Sequence, residues 1–338
     1  MLRQYITRLV EGQSLSEQEA RDAMSVIMSG RATDAQIAGF LVALRMKGET
    51  VAEITGCAQA MRDAATPIEV GDMDVVDTCG TGGTRKGTFN VSTTAAIVAA
   101  GAGVPIAKHG NRGMSSGIGS ADVLQALGVN IEAQPAVVER CIREAGIGFL
   151  FAPILHKAMK YAIGPRRELS VRTVFNILGP LTNPARARRQ LLGVFSEALV
   201  ETIANVLANL GATRAMVVHS VDGMDEISIC DETYVAEVGI GRIATRRIAP
   251  EDFGLERALA EEVRVNGVEA SASAVRAILN GEKGPRRDMV LLNAGAAIHV
   301  GGKADTLGAG MQAAADSVDS GRARRVLERL VALSRGGA

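Results

Sequence analysis

Two stretches rich in glycine and hydroxyl residues contain the residue types that bind phosphate. The first runs from Asp77 to Gly83 (DTCGTGG) and the second from Lys108 to Ser116 (KHGNRGMSS). Each follows a short apolar run and precedes a helical pattern, so bare backbone N–H groups and a positive helix end face one place. Lys and Arg add positive charge. Together the two stretches predict a site for a ligand that carries several phosphates, although a tight strand-to-helix turn would also explain the first.

The first stretch matches neither a Walker loop nor a GxGxxG fingerprint, which disfavours ATP and dinucleotide binding. Asn90, Ser92 and Thr93 stand at the start of the next predicted helix. Their amide and hydroxyl groups suit phosphate oxygens or a Mg²⁺ ion bound to them. The adjacent carboxylates Asp225 and Glu226 follow a predicted strand and are typical of ligands for a hard cation. A solvated acidic turn is the alternative.

A fourth candidate is the arginine-rich segment Gly164–Arg172 (GPRRELSVR). One of its arginines is placed to hold a carboxylate through two parallel hydrogen bonds. A charged helix start explains the same residues equally well, and the sequence alone leaves both open.

These candidates must be positioned by an alternating pattern of strands and helices that begins near Asp72 and is typical of a doubly wound α/β domain. We predict strands at the apolar runs and hairpin strands further on: 75–76, 104–107, 129–131, 147–151, 190–195, 214–219, 226–229, 234–238 and 242–248. The segment from 156 to 188 lacks strand patterns. From residue 271 the chain is predicted to be mostly helical.

Residues 1–66 are predicted to contain helices only. Three capping boxes begin at Ser16, Thr33 and Thr50, and Gly30 and Gly48 are placed to end two of the helices. The segment lacks catalytic residue types, which favours a structural or dimerising role. We therefore predict a small helical domain over 1–70, joined by about 165–188, and a large α/β domain over 71–338.

Composition excludes several functions. The 338 residues carry 37 basic and 37 acidic side chains, only 3% aromatics and no Trp, which argues against a nucleic-acid partner. No apolar run reaches the roughly 20 residues of a membrane span, and the N-terminus does not resemble a signal peptide. The four cysteines are scattered without metal-binding spacing. We expect a cytoplasmic protein that binds neither nucleic acid nor membrane.

Several long motifs resemble the anthranilate phosphoribosyltransferase family. They are GTGG (80–83), TFNVST (88–93), KHGNR (108–112), SS (115–116), RTVFNILGPLTNP (172–184), DGMDE (222–226), GPRRD (284–288) and LLNA (291–294). The matches lie in the family's order over nearly the whole chain. The resemblance implies an enzyme that transfers the phosphoribosyl group of phosphoribosyl diphosphate (PRPP) to anthranilate, releasing diphosphate, in tryptophan biosynthesis. It also implies a homodimer formed through the helical domain, and Mg²⁺, with two ions expected.

The resemblance further implies the roles of individual residues. Transition-state stabilisation is assigned to Lys108, Arg112 and the metal ligands, and no residue is assigned as a nucleophile. Anthranilate contacts are Gly80, His109, Asn111 and Arg166, and metal ligands are Ser92, Asp225 and Glu226. PRPP contacts are Gly80, Gly83, Thr84, Thr88, Asn90, Val91, Ser92, Thr93, Lys108, His109, Gly110, Asn111, Arg112, Gly113, Met114, Ser115, Ser116 and Ser120.

The chain departs from the family pattern at Thr84, where Asp is usual after the glycine pair, and Arg85 and Lys86 follow it. The missing carboxylate predicts weaker coupling to Mg²⁺ and tighter retention of diphosphate. Two other functions remain open at this stage. One is a pyrimidine nucleoside phosphorylase, which shares the fold and uses inorganic phosphate. The other is a non-catalytic paralogue that binds nucleotides or nucleic acid.

Overall fold

A computed structural model describes residues 2–82, 88–113 and 118–337 of the chain. It begins with four helices: α1 (Leu2–Val10), α2 (Glu17–Met28), α3 (Asp34–Lys47) and α4 (Val51–Ala64). All three predicted capping boxes are present, at the N-caps Ser16, Thr33 and Thr50. Each satisfies N–H groups that a helix start otherwise leaves open. The prediction that this region is helical throughout is confirmed for its described residues.

The rest of the chain is built on one seven-stranded sheet. Its strands are β1 (Val76–Gly80), β2 (Ile106–Gly110), β3 (Ile147–Phe151), β4 (Arg189–Gly193), β5 (Arg214–Ser220), β6 (Thr233–Gly239) and β7 (Arg242–Ile248). Their order is β3-β2-β1-β4-β5-β6-β7. The first five are mutually parallel, and β6 and β7 form an antiparallel hairpin on the β5 edge. The predicted fold, a small helical domain and a large α/β domain with a mainly parallel sheet, is confirmed.

Twelve further α-helices surround the sheet in the part of the chain that the structure describes. They are α5 (Val91–Gly101), α6 (Ser120–Ala126), α7 (Pro135–Ala145), α8 (Ala152–Leu155), α9 (Lys160–Leu169), α10 (Phe175–Leu178), α11 (Leu199–Asn209), α12 (Ala260–Val263), α13 (Val268–Leu279), α14 (Pro285–Val300), α15 (Leu307–Asp319) and α16 (Arg322–Ser334). No helix in the described part of the chain is both long and apolar enough to cross a membrane.

Two main cores lie on opposite faces of the sheet, because successive side chains of a strand point to opposite faces. On β4, Leu191 belongs to the core formed with α5 and α14, whereas Leu192 belongs to the core on the other face. That second core is continuous with the buried residues of the N-terminal helices, among them Phe40 and Leu44. The helical region and one sheet face are therefore packed as one apolar interior.

The segment predicted to lack strands, 156–188, contains helices α9 and α10 and two short 3₁₀ turns, Lys157–Met159 and Gly179–Leu181. Helix α9 packs on α2 and α3, and Ala162, Phe175 and Leu178 are buried with the N-terminal helices. The proposed boundary of the helical domain at residue 70 stays a prediction.

Four local predictions were wrong. Residues 129–131 and 226–229 are irregular, since they have no strand neighbour in the sheet. The alternative explanation of 164–172 as a charged helix start was wrong, because Arg166 and Arg167 lie in the last turn of α9 and Arg172 follows the helix. Helix α6 begins at Ser120, after the N-cap residue Gly119.

The fourth error concerns the second phosphate-binding stretch. Strand β2 begins at Ile106 and continues to Gly110, so Lys108 and His109 belong to the strand and not to the loop after it. The basic and imidazole side chains made this part of the sequence look polar. Their side chains are nevertheless buried, at 2% and 6% exposure.

Candidate active site

The candidate residues meet at the carboxyl edge of the parallel strands, where ligands of open α/β sheets bind. Strands β1 and β4 are paired in register so that Gly80 lies opposite Gly193, the last residues of the two strands. The segment that carries Asp225 and Glu226 follows β5 and passes over these two glycines. The order of the strands explains why residues 80, 110 and 225 share one edge although they are far apart in sequence.

The glycine loop and the carboxylate pair are in direct contact. The backbone N–H of Gly82 donates to Asp225 Oδ2 at 2.8 Å. A Cβ on Gly193 would overlap the carbonyl oxygen of Asp225, and one on Gly80 would meet its carboxylate. Both strand-end glycines are required for this close approach. Thr81 completes the connection, since its Oγ1 accepts from Phe195 N at 3.0 Å. The Thr81 hydroxyl therefore binds the glycine loop to the segment that follows β4.

The negative charges of this segment are concentrated. Burial raises the pKa of the half-buried Glu226 well above its usual range, and the neighbouring Asp225 and Asp222 act in the same direction. Lys108 opposes them. A carboxylate held under such repulsion gains stability when a cation approaches.

Lys108 lies between the glycine loop and the start of α5. Its Nζ donates to the carbonyl of Thr78 and lies 3.4 Å from Ser92 Oγ. Burial lowers the pKa of this ammonium, whereas Asp77, Cys79 and Glu226 work in the opposite direction. One positive charge is thus placed among the predicted phosphate and metal ligands.

The fully buried carboxylate of Asp77 holds the residues next to Lys108 in place. It accepts from the backbone N–H of His109 at 3.1 Å and from Cys79 Sγ at 3.3 Å. Burial raises its pKa, and the nearby Lys108 is the largest opposing influence. Asp77 ties β1 to β2 at the level where both strands deliver their site residues.

Two imidazoles pair behind the strand ends. His109 Nε2 and His156 Nε2 are 3.1 Å apart, so one ring donates to the other. Burial lowers the pKa of His156 to about 4, and burial together with the second imidazole holds the pKa of His109 well below its usual range. Both rings are therefore neutral near pH 7.

Helix α5 presents its N-terminus to the same edge. Asn90 is the N-cap residue, but its side chain does not accept from the first-turn backbone N–H groups. Its Oδ1 instead accepts from the Thr93 hydroxyl, and its own N–H donates to Ser271 Oγ at 3.1 Å. The first turn of this 11-residue helix therefore has no side-chain cap among the described residues. Its free backbone N–H groups are arranged to bind an anion.

The loop after β2 is folded around Asp122, which accepts from Gly113 N at 3.0 Å and from Gly119 N at 2.8 Å. These bonds and the Arg112 guanidinium at 3.0 Å lower the pKa of Asp122, although partial burial raises it. Arg112 is thereby directed towards α6, and Asn111 Oδ1 accepts from Arg112 N. Five of the predicted PRPP contacts lie outside the described residues: Gly83, Thr84, Met114, Ser115 and Ser116. The hypothesis about Thr84 therefore stays a prediction.

Arg166 is held by α9 in a half-buried position. Its guanidinium lies 4.9 Å from the ring centre of Phe175, and burial lowers its pKa. The guanidinium makes no hydrogen bond or ion pair with another residue in the described parts of the chain, whereas the Arg166 carbonyl accepts from Ser170 N. An arginine without an internal acid is suited to bind a carboxylate from a ligand.

The sequence did not reveal several residues that build the site. His156, Asn183 and Asn293 carry no spacing signal, because their partners are distant in the chain. Asn183 Nδ2 donates to Ala107 O at 2.8 Å, directly before Lys108. Asp122 could have been found, since it stands three residues after the Gly119 N-cap. Within the described ranges no group of three or more His, Cys, Asp or Glu side chains forms a complete metal cage.

Family models match both parts of the chain. Residues 3–65 match the helical bundle domain of a glycosyl transferase family, and residues 72–324 match the a/b domain of that family. Among curated proteins, anthranilate phosphoribosyltransferase of Syntrophotalea carbinolica is 53% identical over 350 aligned residues, covering 99% of both chains.

Solved structures agree. The anthranilate phosphoribosyltransferase of Thermus thermophilus is 45% identical with a TM-score of 0.93, over 98% of this chain and 99% of that one. The Saccharomyces cerevisiae enzyme in complex with PRPP and Mg is 29% identical with a TM-score of 0.90, over 99% and 98%. The same yeast enzyme in complex with 4-fluoroanthranilate is 28% identical with a TM-score of 0.88, over 99% of this chain and 97% of that one.

Proposed function

The chain belongs to the anthranilate phosphoribosyltransferase family, and on that premise we propose that it forms N-(5-phosphoribosyl)anthranilate and diphosphate from anthranilate and PRPP. The reaction depends on Mg²⁺ and is a step of tryptophan biosynthesis. The observation that carries the proposal is the contact between the glycine loop and the carboxylate pair, Gly82 N to Asp225 Oδ2, beside the buried ammonium of Lys108.

The residues present fit Mg²⁺. Asp225 and Glu226 are adjacent oxygen donors. Burial raises the pKa of Glu226, and the neighbouring Asp225 and Asp222 add repulsion that a cation would relieve. A site with two carboxylates and no complete protein cage among the described residues is typical of Mg²⁺ bound through substrate phosphates. We assign Ser92, Asp225 and Glu226 as the ligands and expect two ions. The metal neutralises charge on diphosphate oxygens.

We assign the phosphoribosyl diphosphate to the space between the glycine loop, the α5 N-terminus and the loop after β2. The uncapped first turn of α5 supplies N–H groups, and Lys108 supplies a fixed positive charge. As the bond between C1′ and the diphosphate oxygen breaks, negative charge grows on the leaving group. Groups placed in advance for that charge lower the barrier.

The second substrate needs only to be held near C1′. The amine nitrogen of anthranilate forms the new bond to C1′ and then loses a proton. Bringing the two reactants together supplies much of the rate without a strong nucleophile. Arg166, which has no acid partner among the described residues, is assigned to the anthranilate carboxylate, with Gly80, His109 and Asn111 as further contacts.

We further propose that the enzyme acts in the cytoplasm as a homodimer formed through its helical region. Val10 and Met46 support this arrangement, because they are 73% and 83% exposed on α1 and α3. Large apolar side chains exposed on one region indicate a surface for a partner.

A single assay tests the proposal. Protein, Mg²⁺, PRPP and anthranilate are mixed, and the loss of anthranilate fluorescence is followed together with diphosphate release. We expect loss only when all components are present. Unchanged fluorescence with protein that circular dichroism shows to be folded would reject the proposal. Phosphate-dependent cleavage of a pyrimidine nucleoside in a parallel reaction would select the phosphorylase alternative.

A further inference from the structure

We propose that Asn293 is a positioning residue that fixes the carboxylates of Asp225 and Glu226 for the cation. Asn293 lies in the middle of α14 and is 2% exposed, and its side-chain hydrogen bonds go to Ile227 and Met289. This inference rests on the proposed function, because it concerns the same carboxylate pair.

The side-chain amide of Asn293 binds both backbone groups of the residue that follows Glu226. Its Oδ1 accepts from Ile227 N at 3.0 Å, and its Nδ2 donates to Ile227 O at 2.8 Å. Nδ2 also donates to Met289 O of its own helix at 2.8 Å. Both amide hydrogens and one oxygen lone pair are therefore used, so rotation of the amide would break three buried hydrogen bonds.

No strand pairing performs this task. Residues 226–229 are irregular and have no ladder bonds. Ser228 N donates to Thr233 Oγ1 at 3.1 Å and Ile229 O accepts from Ala258 N at 3.0 Å, whereas Asn293 binds the residue next to Glu226. Asn293 replaces the missing neighbour strand by imitating a peptide group. Ile227 is itself 1% exposed, so its N–H and C=O would otherwise be buried without partners.

The helix that carries Asn293 links the carboxylates to the rest of the site. Helix α14 packs against β1, β4 and β5 and against α5. Those elements deliver the glycine loop, Gly193 and Ser92. Asn293 thus sets the position of Glu226 relative to the phosphate-binding groups, in the way that outer partners orient metal ligands.

The test compares Asn293→Asp with Ser334→Ala. The first keeps the size and the acceptor but removes both donors to Ile227 O and Met289 O. The control removes another buried polar anchor, Ser334 Oγ, which accepts from Asn130 N at 3.0 Å away from the carboxylate segment. We measure by calorimetry the Mg²⁺ concentration that gives half-maximal PRPP binding, and the unfolding temperature.

We expect Asn293→Asp to raise that Mg²⁺ concentration about tenfold, the usual effect of losing an outer-shell partner, with binding recovered at saturating Mg²⁺. Ser334→Ala should lower the unfolding temperature and leave the Mg²⁺ requirement unchanged. An unchanged requirement in folded Asn293→Asp would overturn the inference. Absence of Mg²⁺-dependent PRPP binding in the unsubstituted protein would instead reject the proposed function.

A measurement on the unsubstituted protein covers the case in which Asn293→Asp does not fold. The amide of Ile227 should exchange with deuterium as slowly as the amides of β5, because it is bound to a buried side chain. Exchange of the Ile227 amide at the rate of an open loop would contradict the proposed role of Asn293.

Discussion

Lys108 shows how much of the chemistry at this site depends on burial of single residues. Its ammonium is 2% exposed and contacts Thr78 and Ser92 rather than solvent. A buried charge is costly unless nearby groups compensate it, and Asp77 and Glu226 do so from two sides. The same cation therefore stabilises these two carboxylates, and it is the positive charge that we propose for the diphosphate.

Arg166 gives a prediction at this scale. Replacing Arg166 by Ala should raise the KM for anthranilate at least tenfold and leave the KM for PRPP nearly unchanged, because only the carboxylate contact is lost. Steady-state fluorescence kinetics measure both constants. Arg167→Ala is the matched control, since Arg167 is the exposed neighbour on α9. Equal effects of the two substitutions would contradict the assignment.

The pair of imidazoles predicts a pH dependence of stability. His156 has a pKa of about 4 in the folded protein against 6.5 for an ordinary His. Between these values the unfolded chain binds more protons, so the free energy of unfolding falls as the pH is lowered from about 6.5 to 4. The contribution is roughly 3 kcal/mol.

Urea unfolding of the protein and of His156→Asn at pH 7 and pH 4.5 measures this contribution. The substituted protein should lose less stability on acidification than the unsubstituted one. Equal losses would show that the buried imidazole does not carry the predicted pH dependence.

At the scale of elements, the sequence predicted what local patterns determine. The three capping boxes and the short strands β3 and β4 follow from hydrogen bonding and periodicity within a few residues. The end of β2 does not follow from local patterns, because Lys108 and His109 are polar residues that are buried by contacts with β1 and with His156. Ile227 is bound by Asn293, which is distant in sequence and gives no local signal.

The capping box of α4 predicts a large loss of stability on substitution. Glu53 is fully buried, and its carboxylate accepts from Thr50 N at 2.8 Å, from Leu15 N at 2.9 Å and from Lys47 Nζ at 2.9 Å. Glu53→Ala removes the counterion of the Lys47 ammonium, which keeps only its hydrogen bonds to Ser14 Oγ and Gly48 O. It also leaves two backbone N–H groups without their partner. The expected loss is roughly 3 kcal/mol.

Glu19→Ala provides the comparison, because Glu19 closes the equivalent box of α2 in an exposed position. Urea unfolding measures the stability of both variants, and the loss of stability in Glu19→Ala should be clearly smaller than that in Glu53→Ala. A result in which both substitutions cost the same would mean that burial does not strengthen the α4 cap.

At the scale of the whole molecule, one apolar core joins the N-terminal helices to a face of the sheet. The sequence predicted a helical unit and an α/β unit from composition and periodicity. It did not predict the shared core, because neither pattern indicates which faces meet.

The proposed dimer is tested by surface substitution. Met46→Glu should shift the sedimenting species from two chains to one, because a charge at a buried interface loses its water. Ile240→Glu is the control, since Ile240 is 90% exposed at the turn between β6 and β7. A single-chain species in the unsubstituted protein at micromolar concentration would contradict the proposed dimer.

We propose that the Asp225–Glu226 pair, fixed against the glycine loop, makes phosphoribosyl transfer dependent on Mg²⁺. The most direct measurement is the rate of PRPP-dependent anthranilate consumption across a Mg²⁺ titration, for the unsubstituted protein and for Asp225→Asn combined with Glu226→Gln. We expect the double substitution to lower kcat/KM by about 10² or more, in line with the loss of a preorganised electrostatic group, while the fold is retained. Rates that stay equal throughout the titration would contradict the account.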